Sequence, residues 1–524
     1  MATTGQPEQV IPDKGETQLY TQVMREFLGI NTKAERSAIP KQCFYDLQNA
    51  MPLGNANLHT VPGLSSALVA FGAATIYAAQ FASLGTANYL FCYSTQGSIY
   101  AYNLATQTLT NISGSATLSG TSTKCTPFYN IYILFIDPNG YFYWNGSTFA
   151  KLSLPDGPSG GTDIAVFSGR VFVSSGKLIS ISCAYLATTT TDPTQDTAWQ
   201  AANGGSFLTM TDPSMVGNIV RLISQNGFLY IVGATCVWAL TDIFVPYGAI
   251  PPAPVYSLVP VQSIIGSDQG FGIICFNRAL LFASRYGVWA VEGVNATKVS
   301  TDMDGSWQYF TFTQGISGGQ AIVLNVLNAG FLVQRANDPI LGSGTVVLMF
   351  FDGKWWTANI GAATFIVSGI LNATPVLFAI IGNSLYQMFQ PGAAAPATQV
   401  MTPLWDLDDP LSDKEPVRCG FDMVSQPPLS TTSVTATLDT YLGSTQLAIS
   451  SNAGTLQFVS NAGVPLIFTG LGGVPITWTV STYQLYQAPG TGVRSKFAGM
   501  TIKTTGLAYE LDSFYMDFKK RKRW

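Results

Sequence analysis

Residues 131–146 read IYILFIDPNGYFYWNG. An apolar run ends at the turn residues Asp137-Pro138-Asn139-Gly140, and a second run follows with Tyr141, Phe142, Tyr143 and Trp144 in succession. Two β-type runs joined by turn chemistry read as a hairpin. Both runs are apolar at nearly every position, not at every second one, so neither face of the hairpin is expected to meet water. Working outward, the same unit returns as NYLFCYSTQGSIYAYN (88–103), GRVFVSSGKLISIS (169–182), GFLYIVGATCVWAL (227–240), ALLFASRYGVWAVEG (279–293) and PVLFAIIGNSLYQMF (375–389). The copy at 169–182 lacks the aromatic in its second strand, and VVLMFFDGKWWTANI (346–360) is a looser copy. Successive clear copies lie roughly 40 to 60 residues apart, except for one wide gap that holds the loose one, and self-similarity near that period points to a β-propeller. A blade is one meander that cannot bury its faces alone, and blades stacked around an axis hide both. Six or seven blades are expected, the alternative being a stack of ordinary antiparallel hairpins.

The flanks differ in texture. Residues 1–41 read as a polar arm followed by a short helix, because Leu19, Val23, Met24, Phe27 and Leu28 recur at helical spacing between a capping Thr17 and a stop at Gly29. The propeller is expected over 42–391. PGAAAPATQ (391–399) reads as a linker. Beyond it, Val434–Tyr441, Thr455–Val459, Thr477–Tyr486 and Met500–Tyr509 read as strands of a β-sandwich-like domain over 392–524, with Ser/Thr/Gly-rich loops. The fold class expected is therefore all-β, a β-propeller with a C-terminal β-sandwich-like domain and a short N-terminal helix.

Composition removes many functions. Of 524 residues only 10% are charged, against about 25% in an average soluble domain. The net charge of −4 argues against a basic nucleic-acid binder. One histidine, His59, rules out a multi-histidine metal site, and its place before Pro62-Gly63 favours a hydrogen-bonded structural role. Seven cysteines without a CxxC pair read as reduced, buried thiols of a chain folded in cytosol. The opening MATTGQPEQVIPDKGE lacks the basic and apolar regions of a signal peptide. No charge occurs from Leu47 to Thr123, yet Gly72, Thr75, Gln80 and Ser83 interrupt Ala67–Leu84, so a membrane span is not expected there.

Candidate chemistry is sparse, and no catalytic residue, cofactor site or metal site is expected. KVSTDMDGSWQYF (298–310) is near the Ser-x-Asp-x-Gly-x-x-Trp box of sialidases, but its glycine falls one place late and no second copy exists; a polar turn at Asp304-Gly305 entering a strand explains it equally well. Asp406, Asp408 and Asp409 form the densest acidic stretch. Carboxylates can hold a hard cation, but the spacing does not match an EF-hand loop, and a solvated loop is the better reading. The basic end, Lys519, Lys520, Arg521, Lys522, Arg523 and Trp524, is read first as a docking point for a partner and second as a contact to DNA phosphates, with a solvated tail as the third option. Trp524 argues against the last.

Several stretches resemble one family. QCFYDLQNAMPLGNANLHTVPGL (42–64), with its Pro62-Gly63 step, is similar to the opening of tail nozzle proteins of short-tailed bacteriophages, also called packaged-DNA stabilisation or tail accessory proteins. The likeness continues through AVFSGRVFVSSGKLISIS, AWQAANGGSF (198–207) and the two following hairpins, where Gly233, Ala234 and Trp238 occupy the family's positions, so that it spans about Gln42 to Gly293. The resemblance implies a non-enzymatic virion structural protein. Six copies would form a ring that extends the DNA channel below the portal and adaptor, with tail fibre or tip proteins as further partners. That ring would retain the packaged genome and allow its ejection as double-stranded DNA crosses the lumen. A charge-poor lining suits passage, since every neutralised phosphate adds counterion-release affinity. The alternative is a glycan-binding or glycan-cleaving propeller acting as a receptor-binding tail component.

Overall fold

The computed structural model describes residues 19–54, 57–244, 255–262, 264–312, 315–406, 409–425, 434–451, 484–489 and 491–521. They fall into two compact units, one joining residues 1–60 to 395–524 and the other spanning 61–394.

Every quoted hairpin of the second unit forms; the six clear copies each sit inside a four-stranded antiparallel sheet, and the looser copy at 346–360 sits in a longer one. Blade 1 is Ile76–Leu84, Ala87–Ser94, Ile99–Asn103 and Thr108–Asn111; blade 2 is Lys124–Phe128, Tyr132–Asp137, Gly140–Trp144 and Phe149–Leu152. Blade 3 is Asp163–Phe167, Arg170–Ser175, Leu178–Ile181 and Ser206–Thr209, and blade 4 is Ile219–Gln225, Phe228–Gly233, Val237–Phe244 and Val255–Gln262. Blade 5 is Ile273–Phe276, Ala279–Ser284, Gly287–Glu292 and Asn295–Lys298, and blade 6 is Ser317–Val323, Val326–Asp338, Gly342–Phe351 and Lys354–Ala358. Blade 7 takes Ala363–Leu371, Thr374–Ile381 and Ser384–Gln387 from one end of the unit and Val69–Ala70 from the other. The clear repeats are the second and third strands of their blades. The loose copy is the third and fourth strands of blade 6, which explains the wide gap.

The packing shows why nearly every position of these strands is apolar. In blade 2, Ile133, Phe135, Phe142 and Trp144 join the core shared with blades 1 and 7, while Leu134, Ile136 and Tyr141 join the core shared with blade 3. Alternate residues thus serve opposite neighbours, and consecutive ones are all buried. Blade 3 sends Phe172, Ile179 and Ile181 to a core shared with Leu222, Leu229 and Ile231 of blade 4. The other face of blade 4, through Tyr230 and Val232, meets Leu280 and Phe282 of blade 5. First strands line the axis, with blade 1 beside blades 2 and 7, blade 3 beside blades 2 and 4, and blade 6 beside blades 5 and 7. Closure is a noncovalent latch in which Val69 pairs with Leu385 and Ala70 with Ser384, extended by Leu68 N–H to Leu385 O at 2.8 Å and Phe71 N–H to Asn383 O at 2.8 Å.

In blades 1, 2 and 5 the turn after the second strand carries a small buried acceptor. Asp137 is fully buried. Its Oδ1 accepts the N–H groups of Ser119 and Asn139, both at 2.9 Å, and its Oδ2 accepts the Ser119 and Thr123 hydroxyls, both at 2.8 Å. Ser94 and Ser284 stand at the same place and accept the N–H groups of Ser98 and Tyr286.

In the other unit, Tyr509–Arg521 is flanked on one edge by Asp413–Ser425 and on the other by Leu19–Met24 and Asn57–Thr60, the last continuing to Ala50–Leu53. Gln484–Pro489 and Ser450–Ser451 extend the sheet beyond Asp413–Ser425. A second antiparallel sheet runs Asp46–Gln48, Thr398–Met401, Ala498–Thr504, Val434–Thr440 and Gly443–Gln446. The Tyr509 hydroxyl lies 2.8 Å from Thr398 Oγ1 in the second sheet. Of the strands expected here, that at 434–441 forms over Val434–Thr440, that at 500–509 over Ala498–Thr504, and that at 477–486 is described only from Gln484; 455–459 lies outside the described residues.

Two expectations are corrected. The helix expected over Thr17–Gly29 is a strand at Leu19–Met24, in register with Phe514–Lys519, and Tyr20 stacks on Phe518 at 5.6 Å. A helical face would bury Leu19, Val23 and Leu28 together. They are instead 50%, 41% and 39% exposed, because cross-strand pairing overrides a weak helical period in a segment rich in Tyr, Thr and Val. The propeller begins at Val61, not at 42, and ends at Ala394, not at 391, because Asp46–Gln48 and Asn57–Thr60 pair with strands of the C-terminal segment and Ala50–Leu53 pairs with Asn57–Thr60. The arm expected over 1–16 lies outside the described residues.

Candidate functional site

His59, Asp304 and Asp409 each serve in local structure. His59 sits in a strand with Nε2 3.6 Å from Glu510 Oε1, and Asn57 donates to the same oxygen. Asp304 opens one helical turn, Asp304–Trp307, and pairs with Lys298 at 2.6 Å. Asp409 accepts the Leu411 and Ser412 N–H groups and the Ser412 hydroxyl at 2.6 Å, and the Ser412 bonds hold its carboxyl below the usual range. Lys414 donates to the carbonyls of Asp409 and Lys496. Asp408 lies outside the described residues. No group of three His, Cys, Asp or Glu suited to a metal ion occurs among the described residues.

The basic run is in part a strand. Lys519 pairs with Leu19 and Glu415, and Lys520 with Lys414. The Lys520 ammonium lies 4.7 Å from the centre of the Tyr20 ring. Two residues before Lys519, the buried Asp517 takes the Thr21 hydroxyl at 2.7 Å and Arg418 at 2.6 Å. Arg521 ends the strand, and Lys522, Arg523 and Trp524 lie outside the described residues.

All seven cysteines are free thiols, buried except for the half-buried Cys275. Burial pushes Cys92, Cys125 and Cys419 up to about 12 and Cys275 up to about 11. Ala67–Leu84 contributes the strands Val69–Ala70 and Ile76–Leu84, and no helix among the described residues is long and apolar enough to cross a membrane.

The site that sequence reasoning missed is on the propeller axis. First strands of blades 1, 4, 5, 6 and 7, with Gly270 and Phe271 just before the blade 5 strand, line an open pocket of about 360 Å³, among others through Gln80, Arg221, Ile274, Gln320, Phe365 and Ser368. Arg221 Nη1 pairs with Asp163 at 3.2 Å, while Asp163 Oδ2 takes the Leu222 N–H. Gln80 Oε1 accepts the Tyr93 hydroxyl at 3.0 Å and the Cys125 N–H at 2.8 Å, so its NH₂ group is the end left to donate. Lys124 starts blade 2 and is 4% exposed. Its Nζ lies 2.8 Å from the centre of the Phe271 ring. A Cβ on Gly270 would come to 3.4 Å of that nitrogen, an ordinary contact, so Gly270 lies directly beside the lysine. Among the described residues, neither Lys124 Nζ nor Arg221 Nε has a hydrogen-bond partner. Burial, and then the Arg221 guanidinium, pushes the Lys124 amine well below the ordinary lysine range, against the pull of Asp163. One signal was in the sequence: Lys124 is the first charge after the neutral stretch Leu47–Thr123.

No protein-family model matches this chain, and no curated protein matches it. Among solved structures it is similar to the RRP9 WD40 repeats, at 9% identity and a TM-score of 0.35, over 63% of this chain and 99% of that one. A complex of BBS1N with ARL6DN gives 11% identity and a TM-score of 0.37, over 64% and 99%. The extracellular domain of the two-component system BT4673 from B. thetaiotaomicron gives 9% and 0.38, over 62% and 40%. The chain is an all-β protein built on a seven-bladed propeller, as its strand pairing and face-by-face packing show.

Proposed function

We propose that this chain is a non-catalytic structural subunit that assembles with copies of itself into a ring. Following the resemblance over Gln42–Gly293, that ring is a tail nozzle of a short-tailed bacteriophage. It would sit in the virion below the portal and adaptor, with tail fibre or tip proteins as further neighbours. It would retain the packaged DNA and then let it pass.

The observation that carries the reading is a surface poor in charge and studded with large apolar side chains. Leu186, Phe207, Ile264, Leu411 and Leu442 are each more than 70% exposed. Scattered single apolar residues are ordinary, but together with 10% charge over the whole chain they suit a subunit whose surface is covered by neighbours. Rings close when head-to-tail contacts rotate through a full circle. The basic residues Lys519 to Arg523 are assigned to docking on an acidic partner surface, and Lys519 and Lys520 do so from a strand.

Size-exclusion chromatography with light scattering tests this. A ring, or a complex with adaptor assemblies, is the expected result. A stable monomer that binds or cleaves glycans would overturn it in favour of a receptor-binding propeller.

A further inference from the structure

We propose that the axial cavity binds a small carboxylate carried on an apolar body, its oxygens meeting Arg221, Lys124 and the Gln80 amide. The site is independent of the assembly reading. Three observations carry it. The first is that Lys124, almost wholly buried against the lining residues Gly270 and Phe271, makes no hydrogen bond at its amine among the described residues, and Arg221 makes none at Nε. A buried donor without an acceptor is a standing penalty, and an anion removes it. The second is the lining, which holds a guanidinium, two amides and a hydroxyl but no carboxylate. The third is that the other walls are Phe271, Phe365 and Ile274, which suit an apolar body more than a bare inorganic ion. Phe271 and Phe365 meet edge to face at 5.2 Å, giving that body a fixed wall.

The test uses the full chain and sodium benzoate as probe, at constant ionic strength set with sodium chloride. The thermal midpoint is expected to rise and saturate with benzoate, as it does for any ligand of the folded state. Lys124→Met and Arg221→Gln are each expected to raise the half-saturating concentration about tenfold, the loss of roughly one charge-assisted hydrogen bond. The exposed Arg285→Gln should leave it unchanged. Inorganic phosphate, which lacks an apolar body, should act more weakly. The proposal is overturned by a wild-type midpoint that does not respond beyond chloride, by variants that keep the wild-type half-saturation, or by phosphate matching benzoate. The wild-type comparison decides even if Arg221→Gln does not fold, and Lys124→Met replaces an unpartnered amine with an apolar chain of similar length.

Discussion

Lys124 is held at a position where an apolar residue would serve the fold better. Lys124→Met is expected to stabilise the unliganded protein by about 1–3 kcal/mol at neutral pH, the usual penalty of an unsatisfied buried polar group. The pH dependence has a definite sign. The folded-state pKa is depressed below the unfolded value of about 10.4, so folding expels a proton and wild-type stability falls as pH drops below that value. The advantage of Lys124→Met should therefore be largest at low pH and shrink as pH approaches about 10.4. Urea denaturation of both proteins between neutral and alkaline pH reads this directly, and a constant difference would contradict a neutral amine. Cys125 beside it is pushed up to about 12 and stays neutral over that range. Asp137 is the opposite kind of buried polar residue, with four protein donors satisfied. Asp137→Ala strands those donors in the blade 2 turn and should lower stability by about 2–4 kcal/mol, measured by the same denaturation.

Among the elements, the second and third strands of the blades were legible because both their faces are buried and their composition is dense in Leu, Ile, Val, Phe and Tyr. Outer strands were not. Thr108–Asn111 is mostly exposed and polar, so nothing in its composition separates it from a loop. Leu19–Met24 was misread because its partner lies almost 500 residues away, and pairing at that distance leaves no local trace. The axial site was hidden for a related reason: Gln80, Lys124, Arg221 and Phe271 are distant in sequence and become neighbours only when the ring closes. That closure rests on the short strand at Val69–Ala70. Leu68→Pro removes the N–H given to Leu385 and should lower stability by about 2–4 kcal/mol. Denaturation midpoints check this, and an unchanged midpoint would mean that blade 7 holds without its borrowed strand.

At the scale of the whole molecule, the thiols and the exposed apolar residues give two further expectations. With pKa values up to about 12 for Cys92, Cys125 and Cys419 and about 11 for Cys275, almost no thiolate forms at pH 8. Iodoacetamide should leave the native protein unmodified by mass spectrometry and label all seven cysteines after denaturation. Rapid labelling of the native form would contradict the burial. Phe207→Ser and Ile264→Ser, both at exposed sites, should change folding stability by less than about 0.5 kcal/mol while reducing self-association in light scattering. The borrowed strand of blade 7 also sets a schedule for biosynthesis. Val69 emerges from the ribosome some 300 residues before Leu385, which at ordinary elongation rates is a delay of roughly 15 to 60 seconds. Throughout that interval the nascent chain carries an open sheet edge, so a shielding chaperone, or slow translation of the final blade, governs how much of this protein reaches its native form.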